Sequence, residues 1–272
     1  MTNPFSFDIS AWPALPRLRG VFVVGTDTDV GKTLIAGAIA RALRKKGESV
    51  AVFKPAATGC RRTPAGLVSE DTEFLAWAAD SDQHLADITP VRYAPAVAPN
   101  VAAERTKTPV DLDAIFDAYA QLAGQASAVV VEGVGGLLCP ISDDFWVIHF
   151  VKMTRLPVVI VARAGLGTIN HTLLTLHAAR SAGLNVAGVI VNRYEIESPL
   201  SDKQAAAKGD AVLAMHTNPQ QIADRGNVKV LALVPNEAKN SVPNARIGPD
   251  TQFAVETVDW KKIVDCGFRI AD

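Results

Sequence analysis

Cysteine is scarce: Cys60, Cys139 and Cys266 are three in 272 residues, an odd number at wide spacing with no C-x-x-C pair. That excludes a disulfide framework and a structural zinc site, and it fits a reducing cytoplasm. Long apolar runs are missing as well, since no window approaches the ~18 residues that a membrane span requires. Near the amino terminus, Phe5 to Leu18 is interrupted by Asp8, Pro13, Pro16 and Arg17, so no signal-peptide core is expected. A strong charge of one sign is also lacking. The formal net charge is −1, and Lys45-Lys46 and Lys261-Lys262 read as solvated helix surface, so neither nucleic acid nor a membrane is an expected partner. Internal repeats and low-complexity tracts are absent too. What remains is a chain with 49% apolar and 20% charged residues, able to bury the core of one large α/β domain or two small ones.

The stretch that organises this chain is Val21 to Thr33. Val21-Phe22-Val23-Val24 reads as a buried strand stopping at Gly25. A polar loop follows, and Gly31-Lys32-Thr33 then opens an apolar segment, Leu34 to Arg44, with helical spacing. Strand, glycine-bounded loop and helix bearing Gly-Lys-Thr describe a phosphate-binding loop. Backbone N–H groups and the helix N-terminus face the anion, Lys32 reaches the β- and γ-phosphates, and the Thr33 hydroxyl is placed for Mg²⁺. Five residues, Thr26 to Val30, separate the two glycines, where the usual spacing is four.

Downstream, Ser49 to Pro55 reads as a second buried strand, with Lys54 at its carboxyl edge, where open α/β sheets bind ligands. At a strand end Lys54 contributes little to the core, so Lys54→Ala is expected to leave the fold intact. Ala56 to Gly59 reads as a tight loop and residues 60–68 as loop; a helix capped by Ser69 then carries Asp71 and Glu73 in its first turn. Residues 85–110, rich in Pro and Ala, form a long connection of the kind that contacts substrate. A helix from Asp111 to Ala126 precedes a run of valines that ends in Glu132 and a glycine turn, Gly133-Val134-Gly135-Gly136. A carboxylate there must find a cation or donors, and beside a phosphate loop that cation is Mg²⁺. Further buried strands are expected at Leu156–Ala162, Val186–Arg193 and Val228–Pro235, with a helix after a Thr168 cap and a weaker one around Ala206–Ala223. Residues 194–205 read as a polar linker, and the tail from Asn236 as irregular until Phe253. Alternating strands and helices predict an α/β fold, a mostly parallel sheet flanked by helices, as in P-loop NTPases.

Taken together, Gly25-Thr-Asp-Thr-Asp-Val-Gly-Lys-Thr33, Lys54-Pro55 with Thr58-Gly59, Ser69-Glu70-Asp71, Val131 to Gly136, Gly165 to His171 and Val191-Asn192 resemble the dethiobiotin synthetases of biotin biosynthesis. The resemblance spans roughly residues 20–235. It implies a ligase that takes 7,8-diaminononanoate, CO₂ and ATP to dethiobiotin, ADP and phosphate with Mg²⁺, through a carbamate that ATP phosphorylates. It implies that Lys54 and Lys32 are catalytic and that Thr33, Asp71 and Glu132 hold Mg²⁺. Nucleotide contacts follow at Asp29, Val30, Gly31, Lys32, Thr33, Leu34, Asp71, Glu132, Gly133, Val134 and Gly135, with Asn192 and Pro235 framing the base. Thr58 is implied beside the diamine. Gly167, Thr168 and Asn170 are implied to hold the substrate carboxylate, reaching it from the second subunit of a homodimer. The sequence departs from the family pattern at Asp29, where glutamate is common, at Asn100, where histidine is usual, and at Arg193 and Asn236-Glu237. Residues 1–19 have no counterpart, so the expected organisation is an extension, laid on the surface or mobile, followed by a single domain over 20–272.

Two other readings share the phosphate loop. Cobyrinic-acid amidases carry a glutaminase domain with a nucleophilic cysteine, which does not fit here. Partitioning ATPases of the MinD and ParA type, nucleotide-switched binding proteins, carry an early loop lysine that Thr26–Val30 lacks.

Overall fold

The computed structural model describes residues 7–64, 66–195 and 202–269. The chain opens with strand β1 (Gly20–Gly25), helix α1 (Lys32–Lys45) and strand β2 (Val50–Phe53). Short elements come next: β3 (Ala56–Ala57), β4 (Arg61–Thr63), β5 (Gly66–Val68), α2 (Glu70–Ala79), α3 (Leu85–Ile88), β6 (Val91–Arg92) and α4 (Pro99–Thr106). The second half alternates regularly through α5 (Leu112–Gln121), β7 (Ala128–Gly136), α6 (Val147–Thr154), β8 (Val158–Arg163), α7 (Thr168–Ser181), β9 (Val186–Tyr194), α8 (Asp202–Gly226) and β10 (Val230–Pro235). Helices α9 (Pro249–Glu256) and α10 (Trp260–Arg269) complete it.

The main sheet is parallel throughout, in the order β10-β9-β8-β1-β7-β2. Its strands are near-continuous apolar runs because both faces are covered, and the polar residues Glu132, Arg163 and Asn192 fall toward the carboxyl ends of β7, β8 and β9. In β1, Phe22 and Val24 face one core with Phe53, Val129, Val131 and Phe150. Val21 and Val23 face the other with Ile35, Ile39, Val130 and Val159. Helices α5 to α8 supply the first core, and α1, α2, α9 and α10 the second. The fold class expected from the alternation is the one observed.

The sense in which successive strands are added across the sheet changes at β1. From β1 the chain passes beyond β7 to β2, and from β7 it crosses β1 to reach β8. The crevice outside the carboxyl ends of β1 and its neighbours is therefore the place for a ligand.

Several local expectations are corrected. Ala56-Ala57 pairs in parallel with Val91-Arg92, and Arg61–Thr63 pairs with Gly66–Val68 as a hairpin, where loop was expected. Residues 85–110 are broken up by α3, β6 and α4. Gly167, in the left-handed region at φ 85°, is the N-cap of α7, and Thr168 is its first helical residue, without a capping bond. Helix α8 is interrupted at Gly209 (φ 53°, ψ −145°). Of the expected linker over 194–205, Tyr194 ends β9 and residues 202–205 open α8, while 196–201, Pro199 among them, lie outside the described residues. The amino-terminal segment is packed rather than loose from Phe7 onward: Trp12 meets Phe145 edge-on at 4.9 Å, and Lys152 Nζ donates to Phe7 O at 2.7 Å.

Candidate active site

β1 delivers the chain into the phosphate loop. Asp29 (φ 58°) and Gly31 (φ 94°) both lie in the left-handed region. At position 31 a side chain has no room as well as strained backbone, since a Cβ would fall 2.1 Å from Asn192 Nδ2. Asn192, buried at the carboxyl edge of β9, donates from Nδ2 to Val30 O at 2.9 Å and so braces the loop from across the sheet. Its Oδ1 is buried without a partner among the described residues. Lys32 is buried and folds back to donate to Asp27 O at 2.9 Å.

Three elements meet beneath this loop. Lys54 follows β2, Asp71 lies in the first turn of α2, and Glu132 stands within β7, in register with Val23 of β1. Lys54 Nζ lies 2.6 Å from Asp71 Oδ2 and 2.8 Å from Glu132 Oε1. Thr33 Oγ1 donates to the same Glu132 Oε1 at 2.8 Å. Lys54 is 4% exposed and Glu132 1%. Burial alone lowers the Lys54 ammonium, but the Glu132 and Asp71 carboxylates outweigh it and hold it well above the usual lysine range. For Lys32 burial prevails, and its ammonium lies below that range despite the pull of Glu132. Burial pushes the Asp71 carboxyl up, yet Lys54, the Thr33 hydroxyl and Lys32 together bring it below its ordinary value. The Glu132 carboxyl is pushed up by burial, against the attraction of Lys54.

These groups line a cavity of about 840 Å³. Of the sequence-derived residues, Asp29, Gly31, Lys32, Thr33, Leu34, Lys54, Thr58, Asp71, Glu132, Val134, Gly135, Asn192 and Pro235 line it. Val30 and Gly133 are buried and lie outside its lining. Gly167, Thr168 and Asn170 stand apart from it at the start of α7, with Gly167 and Asn170 exposed and Thr168 buried. Ala96–Pro99 also lines the cavity, from the Pro- and Ala-rich connection expected to contact substrate. Two further walls escaped the sequence reading. Cys139 follows the glycine turn. Asn240–Pro243 belongs to the tail: Asn240 binds Gly248 N through Oδ1 and Thr251 Oγ1 through Nδ2, both at 2.8 Å, a fixture with no sequence signal.

The donor set suits a hard divalent cation that shares its shell with phosphates: two carboxylates and a hydroxyl, all oxygen. Glu132 Oε2, buried and without a partner among the described residues, is an acceptor still to be satisfied.

A parallel sheet with a phosphate loop at the point where strand addition changes sense defines a P-loop nucleotide-binding protein. Among solved structures, the septum site-determining protein MinD from Pyrococcus horikoshii OT3, complexed with Mg-ADP, superposes at TM-score 0.52. It is 14% identical, with 93% of this chain and 97% of that one covered. MinD from Aquifex aeolicus gives TM-score 0.53 at 16% identity over 88% and 94%. Those likenesses speak to the fold alone. The family model described as AAA domain matches residues 19–244. Curated relatives are more particular. The ATP-dependent dethiobiotin synthetase BioD of Clostridium novyi (strain NT) is 31% identical over 252 residues, covering 91% of this chain and 98% of the relative. That of Bacillus subtilis (strain 168) is 35% identical over 221 residues, covering 81% and 89%. The chain belongs to the ATP-dependent dethiobiotin synthetase family.

Proposed function

We propose that this chain closes a ureido ring: 7,8-diaminononanoate, CO₂ and ATP become dethiobiotin, ADP and phosphate, so it is a cyclo-ligase in reaction type. The observation that carries this reading is the Lys54 ammonium between Asp71 and Glu132 at the floor of the phosphate-loop cavity. A switch ATPase needs the loop, but it does not need a buried cation in the cavity that Thr58, the residue assigned to the second substrate, also lines.

One substrate amine attacks CO₂ and loses a proton to give a carbamate. A carbamate oxygen takes the γ-phosphoryl group and ADP leaves. The second amine then attacks the carbonyl carbon and expels phosphate, which closes the ring. Negative charge builds on the carbamate and on the phosphoryl oxygens, and Lys54 and Lys32 are the cations assigned to it. Lys32 exchanges Asp27 O for the β- and γ-phosphates, and Thr58 orients the diamine. Asn192, whose Oδ1 lacks a partner among the described residues, and Pro235 frame the base. Thr33, Asp71 and Glu132 would hold Mg²⁺, which when bound neutralises phosphate charge.

Gly167, Thr168 and Asn170 are assigned to the substrate carboxylate of a neighbouring subunit, which makes the working unit a homodimer. Leu166 and Leu174, 69% and 59% exposed, flank that helix start and support the assignment. The free cysteines fit a cytoplasmic setting. Incubation with the diamine, ATP and ¹³C-bicarbonate tests the reaction: a ring-closed product carrying one ¹³C supports it, and diamine recovered unchanged overturns it.

A further inference from the structure

The turn between β8 and α7 is fastened by a residue outside every motif. Asn218, on the part of α8 beyond Gly209, is 4% exposed. Its Nδ2 donates to Ala164 O at 3.0 Å and to Gly165 O at 3.3 Å. An amide nitrogen has two hydrogens, and here both are directed at consecutive carbonyls of one turn. Gly165 O also accepts from Thr168 N at 3.3 Å, so the same carbonyl ties Asn218 to the first residue of α7. With the turn's carbonyls directed at α8, its end carries Gly167 as a left-handed N-cap with no side-chain acceptor for the helix N–H groups. Thr168 Oγ1 is fully buried and lacks a partner among the described residues at that same end. A helix start with no side-chain cap, beside a buried hydroxyl that has no partner among the described residues, suits a carboxylate.

We propose that Asn218 is a positioning residue of the reaction, fixing the Ala164–Gly167 turn so that the α7 start meets the substrate carboxylate. This rests on the assignment of Gly167, Thr168 and Asn170 given above. An asparagine that only fastened α8 to the sheet would affect stability alone, and steady-state kinetics separate the two roles. In Asn218→Ala, KM for the diamine rises roughly fivefold or more, the scale of one lost hydrogen bond, while KM for ATP stays within twofold of the unsubstituted protein. Asn218→Ser keeps one donor for two carbonyls, so its diamine KM falls between the two; it carries the test alone should the alanine variant fold poorly. A diamine KM within twofold of the unsubstituted protein in the folded variants overturns the proposal, whatever the change in Tm. Asn170→Ala distinguishes the two levels. If Asn170→Ala leaves the diamine KM unchanged, the carboxylate assignment itself fails. If Asn170→Ala raises it and Asn218→Ala does not, only the role of Asn218 fails.

Discussion

Lys54 and Glu132, 78 residues apart, form an ion pair at 2.8 Å with almost no access to water. Breaking such a pair from one side leaves the other charge buried and unpaired, at a typical cost of ~3–5 kcal/mol. The expectation that Lys54→Ala leaves the fold intact, because a strand-end lysine contributes little to the core, is therefore qualified: the variant loses stability. Lys54→Met should abolish ring closure and also lower the urea midpoint at neutral pH. The freed carboxylates should attract a divalent cation, so Mn²⁺, followed by its paramagnetic signal, should bind the nucleotide-free variant about tenfold or more tightly than the unsubstituted protein. Unchanged Mn²⁺ affinity would count against the shared site.

Away from the cavity, Glu48 links three elements: it accepts from Ser127 Oγ, at the start of β7, and from Arg19, which also reaches Asp265 of α10. The Ser127 hydrogen bond, with the help of Arg19 and against some desolvation, holds its carboxyl below the usual range. A lowered folded value means that the stabilisation is complete above the unfolded value, about 4.3, and is lost as pH falls through the folded one. Glu48→Gln should cost stability at pH 7, and the deficit in urea unfolding should shrink on acidification below that range. A deficit independent of pH would contradict the ionic role.

Tyr119 offers the opposite test. Its ring packs edge-on against Phe53 and Phe150, but its hydroxyl is buried without a partner among the described residues. Removing an unsatisfied buried hydroxyl relieves about 1–3 kcal/mol of desolvation. Tyr119→Phe should therefore hold or raise Tm, and a clear fall in Tm would show that the hydroxyl is satisfied.

Much of this was legible in the sequence because it is periodic. The apolar runs of β1, β7 and β8 are buried on both faces, and the loop from Gly25 to Thr33 announces its own chemistry. The pairings β3–β6 and β4–β5 were not legible, since strands of two or three residues carry no period. The contact of Lys54 with Glu132 needed the strand order β1-β7-β2, which sequence spacing does not encode. Thr168 looked like a cap by residue type, but Gly167 takes the left-handed position a threonine side chain disfavours. Asn218 acts through two backbone carbonyls far away in the chain, and only tertiary structure brings them together.

The central claim is that the phosphate loop serves a reaction on a second substrate. Phosphate release from ATP and Mg²⁺, followed with and without the diamine and bicarbonate, tests it most directly. The account predicts release that depends on both, with one phosphate for each ring closed. ATP turnover at the same rate without the diamine would contradict it and favour a nucleotide-switched ATPase.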